Sequence, residues 1–385
     1  MEKKYLLGEL VNIDSGFAFK SSLFTDDNQY IPIIRIRDVN SGEASTYYSG
    51  EYDEKYIVNK GDLLISMDGS FVVKKWNSKK ALLNQRVCRI KSISDNITDE
   101  YLYRILPREL KAIEDKTPFV TVKHLSVKSI ENIEIKLPSL GKQKKITDIL
   151  DKAQSLIDKK KEQIELLDEL VKSRFVEMFG DINKNNKIWD VKILSELIDV
   201  IGGYAFKSTE FVEEGIPVLK IGNINAGYFK NTNLMFWNEE EKLERYLIRP
   251  GDLVISLTGT VGKDDYGNVC IMGKDYDKYY LNQRNAKLDI RDENILSKLY
   301  LTYALKVPEI KKRLTGISRG VRQANISNKD IQNLELPIPP IELQNEFAEF
   351  VEQTDSIRSK MEASLSELED NFNSLMQKAF KGELF

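Results

Sequence analysis

The chain has 385 residues, 41% hydrophobic and 30% charged, with a formal net charge of −3. It is too long for one ordinary domain and apolar enough to bury two or three cores. With two cysteines, Cys88 and Cys270, and one histidine, His124, it can build neither a disulfide framework nor a conventional His/Cys zinc site. A nucleophile–histidine device would have only His124 to draw on, and acids and bases nearly cancel.

From the N-terminus, Tyr5-Leu6-Leu7 after Met1-Glu-Lys-Lys is too short an apolar stretch for a signal peptide. No apolar run reaches the roughly 18 residues of a membrane span. Together with two unpaired-looking thiols, this sets the expectation of a cytoplasmic protein.

The dominant signal along the chain is duplication. LVNIDSGFAFKSSLF from Leu10 pairs with LIDVIGGYAFKSTEF from Leu197, and PIIRIRDVNSG from Pro32 with PVLKIGNINAG from Pro217. YIVNKGDLLISMDGS from Tyr56 pairs with YLIRPGDLVISLTGT from Tyr246, and LNQR from Leu83 with LNQR from Leu281. KSIENIEIKLP from Lys128 pairs with KDIQNLELPIP from Lys329. The offset between copies drifts from Lys20/Lys207 through Pro32/Pro217 and Gly61/Gly251 to Asn84/Asn282. It then holds constant from Pro138/Pro339 through Gln143/Gln344 to Phe179/Phe380. Drift means loops of different length; a constant offset is how a long helix behaves.

The drifting part of each copy reads as mixed and β-rich. Ile31–Ile36 and Asp62–Ser66 are short apolar runs bounded by Gly, Asn and Asp. Lys60-Gly61-Asp62 and Pro250-Gly251-Asp252 are turn signals ahead of strands, and helices are expected around Asp99–Ile113 and Glu293–Leu305. The constant part is a heptad seam. Gln143–Phe179 has neither Gly nor Pro, and apolar residues recur at Ile146, Leu150, Ala153, Ile157, Ile164, Leu167, Val171 and Met178. The second copy repeats the seam at Phe347, Val351, Met361, Leu365, Leu368 and Phe372, interrupted by Thr354 and Arg358. About 37 helical residues span about 55 Å at 1.5 Å per residue. Pro138 and Pro337, Pro339 and Pro340 mark the starts, Gly180 and Gly382 the ends. Two such seams most simply pack on each other, as a spacer or, alternatively, as a dimerisation arm.

In this order, Gly-[Phe/Tyr]-Ala-Phe-Lys-Ser at Gly16–Ser21 and Gly203–Ser208, Gly-Asp-Leu-[Leu/Val]-Ile-Ser at Gly61–Ser66 and Gly251–Ser256, and Asn-Gln-Arg at Asn84–Arg86 and Asn282–Arg284 are each followed by Pro-x-x-x-x-Gln at Pro138–Gln143 and Pro339–Gln344. The ordered set, present twice over essentially the whole chain, resembles the specificity (S) subunits of type I restriction–modification enzymes. Lys142-Gln143 and Leu343-Gln344 depart from the Glu-Gln that the family often has.

The resemblance implies an α+β fold. Two β-rich target-recognition domains, 1–138 and 182–339, would be separated by two long antiparallel helices, 139–181 and 340–385, as a coiled-coil spacer with pseudo-two-fold duplication. It implies a chain without catalytic activity, in which each domain reads one half of a bipartite, asymmetric double-stranded DNA site. Partners would be two adenine-methylating modification subunits and, if present, restriction subunits, with S-adenosylmethionine, ATP and Mg on those partners and no cofactor here. The alternative is a stand-alone DNA-binding regulatory protein with a coiled-coil spacer.

Candidate DNA contacts follow the places where the copies diverge inside a shared frame. Phe17, Phe19, Tyr204 and Phe206 read as core, leaving Lys20 and Lys207 as phosphate contacts. Arg35, Arg37 and Asn40, against Lys220, Asn223 and Asn225, lead into turns; Arg suits guanine edges and Asn adenine edges, the competing reading being a solvated strand end. Ser70, Lys74 and Lys75, and Thr258, Thr260 and Lys263, follow a shared strand and suit backbone contact. The Gly-x-x-Gly-Lys here lacks Walker spacing, so it is no nucleotide loop. Arg86 and Arg284 close the Asn-Gln-Arg motifs. Arg319, Arg322, Gln323 and Asn325, opposite Lys123 and His124, form the richest candidate segment, although the two arginines could instead pair with acids.

His124 falls at Asn325 in the second copy, and a catalytic base needed by each repeat would not be replaced by asparagine. Cys88 falls at Ala286 and reads as a buried small residue. The Glu-x-Lys pairs Glu114/Lys116 and Glu134/Lys136 read as structural. No Asn-Pro-Pro-Tyr or Asp-Pro-Pro-Tyr adenine pocket occurs, so the chain is not itself the methyltransferase.

Overall fold

A computed structural model describes residues 3–116, 123–224, 227–260, 263, 265–316 and 323–384. The chain divides into two compact units, Met1–Lys161 with Ser364–Phe385, and Glu162–Ala363. Each unit thus holds one β-rich region and a segment of each long helix.

In the first unit a four-stranded antiparallel sheet has the order Val11–Ser15, Val87–Ser92, Leu63–Ser66, Val73–Lys75. The Leu63–Ser66 strand is buried at every position because its two faces serve two cores. Leu63 and Ile65 pack with the helix Asp99–Lys116, whereas Leu64 packs with Ile34, Val58, Trp76 and Leu83. Strands buried on both faces lose the apolar–polar alternation, which is why the sequence shows a continuous run. The turn before it needs Gly61, held at φ 102°, and Asp62, whose carboxylate accepts from the Asn59 amide at 2.8 Å. A second, five-stranded sheet contains Ile31–Ile34 and Ala81–Leu83.

The second unit repeats the plan. Ile198–Gly202, Asn285–Ile290, Leu253–Ser256 and Val269–Ile271 form the matching sheet. Gly251 has φ 85° and Asp252 accepts from the Arg249 amide at 2.8 Å. Ala286, at the place of Cys88, is fully buried, as is Cys88. The helical stretches differ between copies. Asp99–Lys116 is one helix that runs through Pro107. Its counterpart breaks into Lys298–Lys306 and Pro308–Thr315 around Val307, whose ψ of 124° is extended and which precedes proline, as the residue before proline prefers.

The long helices are Leu140–Phe179, with 40 residues, and Ile341–Lys381, with 41. The first begins three residues before the Gln143 read from sequence and tolerates Gly141 in its opening turn. Both end on glycines in the left-handed region, Gly180 at φ 75° and Gly382 at φ 77°. Of the seam, Ile146, Leu150, Ile157, Val171, Met178, Phe347 and Val351 are buried. Within the first unit the Lys161 ammonium meets Glu369 at 2.7 Å, and Ile146 and Leu150 share a core with Ala379. Within the second, Arg174 meets Glu346 at 2.9 Å and Arg358 meets Asp168 at 2.6 Å. In both units the helical segments therefore run antiparallel. Thr354 is buried with its hydroxyl donating to the Phe350 carbonyl at 2.8 Å, so this polar seam residue satisfies itself.

Candidate nucleic-acid interface

Three separate segments converge at the C-terminal end of the central strand of each sheet. In the first unit the Met67 amide donates to the Arg86 carbonyl at 2.9 Å and the Leu125 amide to the Met67 carbonyl at 2.7 Å. In the second the Leu257 amide donates to the Arg284 carbonyl and the Ile326 amide to the Leu257 carbonyl, both at 2.8 Å. The same two backbone bonds thus gather Asp68, Arg86, Lys123 and His124 in one unit and Thr258, Arg284 and Asn325 in the other. Asp68 bridges His124; at the equivalent place Thr258 pairs with Asn325 and Thr260 with Gln323 in a short antiparallel ladder. Lys263 caps this ladder, its amide donating to the Thr260 carbonyl at 3.0 Å.

The frame is common and the side chains differ. His124 is half exposed and meets Asp68 at 2.6 Å through Nδ1, and Arg86 stands 3.5 Å from the same carboxylate. Lys123 is half-buried, its ammonium donating to the Glu114 carbonyl at 2.6 Å. Ser70 is exposed in the loop after the strand, and Lys74 and Lys75 are exposed on the edge strand of the sheet. In the second unit Arg284, Lys263, Thr260 and Asn325 are exposed. The Asp265 carboxylate, which accepts from the Thr260 amide at 2.7 Å, is held below the usual carboxylate range chiefly by that bond.

A cleft of about 520 Å³ opens beside Lys263 and is lined also by Lys306, Lys311, Lys312, Thr315 and Gly316. These lysines were not singled out in the sequence, because they sit on helices whose polar face looks like ordinary solvated surface. Lys306 is exposed at the rim of the cleft, and desolvation by the surrounding chain lowers its pKa. Lys311 donates to Asn268 at 2.7 Å. Lysines grouped around a concave surface suit phosphate oxygens.

The remaining candidates lie on other elements. Lys20 and Lys207 are exposed ahead of single 3-10 turns, and Lys207 pairs with Glu210 at 3.1 Å. Arg35, Arg37 and Asn40 lie at and within the helix Ile36–Ser41, with Arg37 donating to Thr46 at 3.2 Å. Lys220 stands over the Phe211 ring at 4.7 Å. Asn223 stands apart from the other candidates by its burial. It is 4% exposed, its Oδ1 accepts from the Lys220 amide at 2.9 Å, and its Nδ2 donates to the Lys230 and Thr232 carbonyls. Both of its amide hydrogens and one acceptor site of its oxygen are engaged within its own loop. Asp38 does the same job in the first unit. Asn225, Arg319, Arg322 and the side chain of Gln323 lie outside the described residues. Phe19 and Phe206 are buried as expected, but Phe17 is 48% exposed, resting edge-on against Phe19 and beside Tyr56.

Among the described residues no group of His, Cys, Asp and Glu is placed to hold a metal ion, and no helix is long and apolar enough to cross a membrane. The chain is thus a protein of duplicated α+β units, each presenting a polar, lysine-bearing surface at the end of one strand. Residues 2–167 and 186–370 each match the family described as type I restriction modification DNA specificity domain, and the chain belongs to that family of specificity subunits. It is similar to the type I restriction enzyme EcoBI specificity subunit of Escherichia coli, with 31% identity covering 98% of this chain and 85% of that one. It is also similar to the MjaVIII specificity subunit of Methanocaldococcus jannaschii, with 28% identity covering 85% and 80%. The fold matches the crystal structure of the type I restriction–modification S subunit from M. genitalium at a TM-score of 0.53, over 99% of this chain and 96% of that one, with 16% identity.

Proposed function

We propose that this chain reads DNA for a type I restriction–modification assembly without performing its chemistry. Residues 1–138 and 182–339 each bind one half of a bipartite, asymmetric site, and the helices at 139–181 and 340–385 set the spacing. The chain docks two adenine-methylating modification subunits, which carry S-adenosylmethionine, and through them restriction subunits that use ATP and Mg.

The observation that carries this reading is the same pair of backbone hydrogen bonds in each unit, around Met67/Arg86/Leu125 and Leu257/Arg284/Ile326, presenting different side chains. A frame kept while its exposed residues change is what two readers of different half-sites require. Direct readout by exposed Arg, Asn, Thr and His at strand and loop ends, with lysines on the flanks for phosphates, is chemically sufficient.

The test is methylome sequencing of cells expressing this chain with its cognate adenine methyltransferase. The expected result is modification at one bipartite motif with unequal halves. Exchanging residues 1–138 for those of another specificity subunit changes one half only, and inserting four residues, about one helical turn, in both long helices changes the gap while both halves persist. A single continuous motif, or sequence-specific binding by the chain alone with no methyltransferase association, would replace this reading with that of a stand-alone DNA-binding protein.

A further inference from the structure

We propose that His124 is a specificity-determining residue of the first unit, and that Asp68 fixes its tautomer so that the imidazole presents Nε2 to DNA as a hydrogen-bond acceptor. The base it faces in the major groove would then be one that offers an exocyclic amine there, adenine through N6 or cytosine through N4, and not guanine or thymine. This deepens the functional reading above and rests on it.

The geometry assigns the tautomer. Nδ1 of His124 lies 2.6 Å from Oδ1 of Asp68. A carboxylate accepts and cannot donate, so the proton between them belongs to Nδ1. In the neutral ring this leaves Nε2 without a proton. The Arg86 guanidinium lies 3.2 Å from the same Nδ1, but it cannot donate to a nitrogen already carrying hydrogen. It is held here by the Asp68 charge instead, 3.5 Å away. Arg86 reaches this place only through a left-handed backbone, φ 69°, which is strained for a residue with a Cβ. Its carbonyl and the neighbouring chain are pinned by the bond from Met67. Its counterpart Arg284 is not among the residues with positive φ.

Two further observations point the ring outward. No hydrogen bond from a described residue reaches Nε2, and the His124 side chain is 49% exposed. The ladder place of His124 opposite Asp68 is that of Asn325 opposite Thr258, where asparagine is exposed. Asparagine carries both a donor and an acceptor and matches adenine; a histidine locked by a carboxylate carries an acceptor alone. The two units therefore differ at this place in what they can ask of a base.

Because the chain has one histidine, 15N-histidine labelling of the full chain gives one imidazole spin system. The expected spectrum shows a protonated Nδ1 and an unprotonated Nε2. In Asp68→Leu, Arg86 becomes the donor to Nδ1 and the proton moves to Nε2. A wild-type spectrum with the proton on Nε2 would overturn the inference and leave the functional reading untouched.

The second arm uses the full chain with its modification subunits on DNA whose half-sites are randomised one position at a time. His124→Arg, which can only donate, is expected to move the preference at one position of the first half-site from adenine or cytosine to guanine, whose O6 and N7 accept, by tenfold or more. Asp68→Leu should move it in the same direction, and His124→Gln, which keeps an acceptor, should retain most of the original preference. Unchanged preference at every position in His124→Arg, with the second half-site still read, would overturn the inference alone. Loss of half-site dependence in the wild type would overturn the functional reading as well.

Discussion

Gly16 lies against the carbonyl of Asn84 so closely that any Cβ would overlap it, and Gly203 lies in the same way against Asn282. The contact joins the two most recognisable sequence motifs of each repeat. The Phe17 amide donates to the Leu83 carbonyl at 3.0 Å and the Gln85 amide to the Phe17 carbonyl at 2.8 Å; Tyr204, Leu281 and Gln283 repeat this at 2.8 and 2.9 Å. Both motifs are therefore part of the frame that holds the loops at the strand ends. Neither glycine needs positive φ, so the requirement is for space. Gly16→Ala should destabilise the first unit by about 3 kcal/mol, the range of a tight overpacking, and Gly203→Ala the second. Denaturant unfolding followed separately for each unit checks this, and a loss under 1 kcal/mol would mean the two strands can part without penalty.

The glutamines in the opening turns of the long helices act as plugs. Gln143 is fully buried; its Oε1 accepts from the Thr98 amide at 3.2 Å and its Nε2 donates to the Asn96 and Pro138 carbonyls at 2.7 and 3.0 Å. Gln344 repeats the pattern with the Ser297 amide and the Ile295 and Pro339 carbonyls. One side chain thus ties a helix start to the loop ahead of a second helix. Alanine at either position leaves buried polar groups unpaired, at about 1–3 kcal/mol each. Gln344→Glu keeps the acceptor but loses both donors, so its unfolding midpoint should fall nearly as far as that of Gln344→Ala.

The repeats, strand runs and heptad seams were legible because they follow from burial and periodicity, which local sequence carries. The frame glycines and glutamines were visible as motifs, but their roles were not, because each role is a contact between residues far apart in the chain. The surroundings of Asn223 were hidden for the same reason. An asparagine after a strand looks like a base reader until the carbonyls of Lys230 and Thr232 are brought to it. The break between Lys306 and Pro308 was equally hidden, since Pro107 sits inside an unbroken helix at the matching place.

Burial raises the thiol pKa of Cys88 and of Cys270 to about 12 from an ordinary value near 9.0. At pH 8 the thiolate is on the order of one part in ten thousand in the folded chain. Native protein should therefore resist alkylation, while the unfolded chain takes up two equivalents. The sign of the pH effect follows: the unfolded thiols release protons first, so stability is full below about pH 9 and falls as alkali carries the chain toward pH 12. Rapid native labelling at either cysteine, read by mass spectrometry, would contradict the burial.

In the second unit, ion pairs and aromatic packing between the helical segments should contribute very unequally. Arg358 meets Asp168 at 2.6 Å, but Asp168 is largely exposed, and such pairs are worth about 0–1 kcal/mol. Phe347 is fully buried and packs edge-on against Phe175, Phe179 and Tyr303 at 5.2–5.4 Å between ring centroids. Truncating such a ring costs about 3–5 kcal/mol. Arg358→Ala should thus shift the unfolding midpoint slightly and lose even that shift in high salt, whereas Phe347→Ala should loosen the unit at any ionic strength. If the order were reversed, the seam would be held by charge, and the heptad reading of its apolar residues would fail with it.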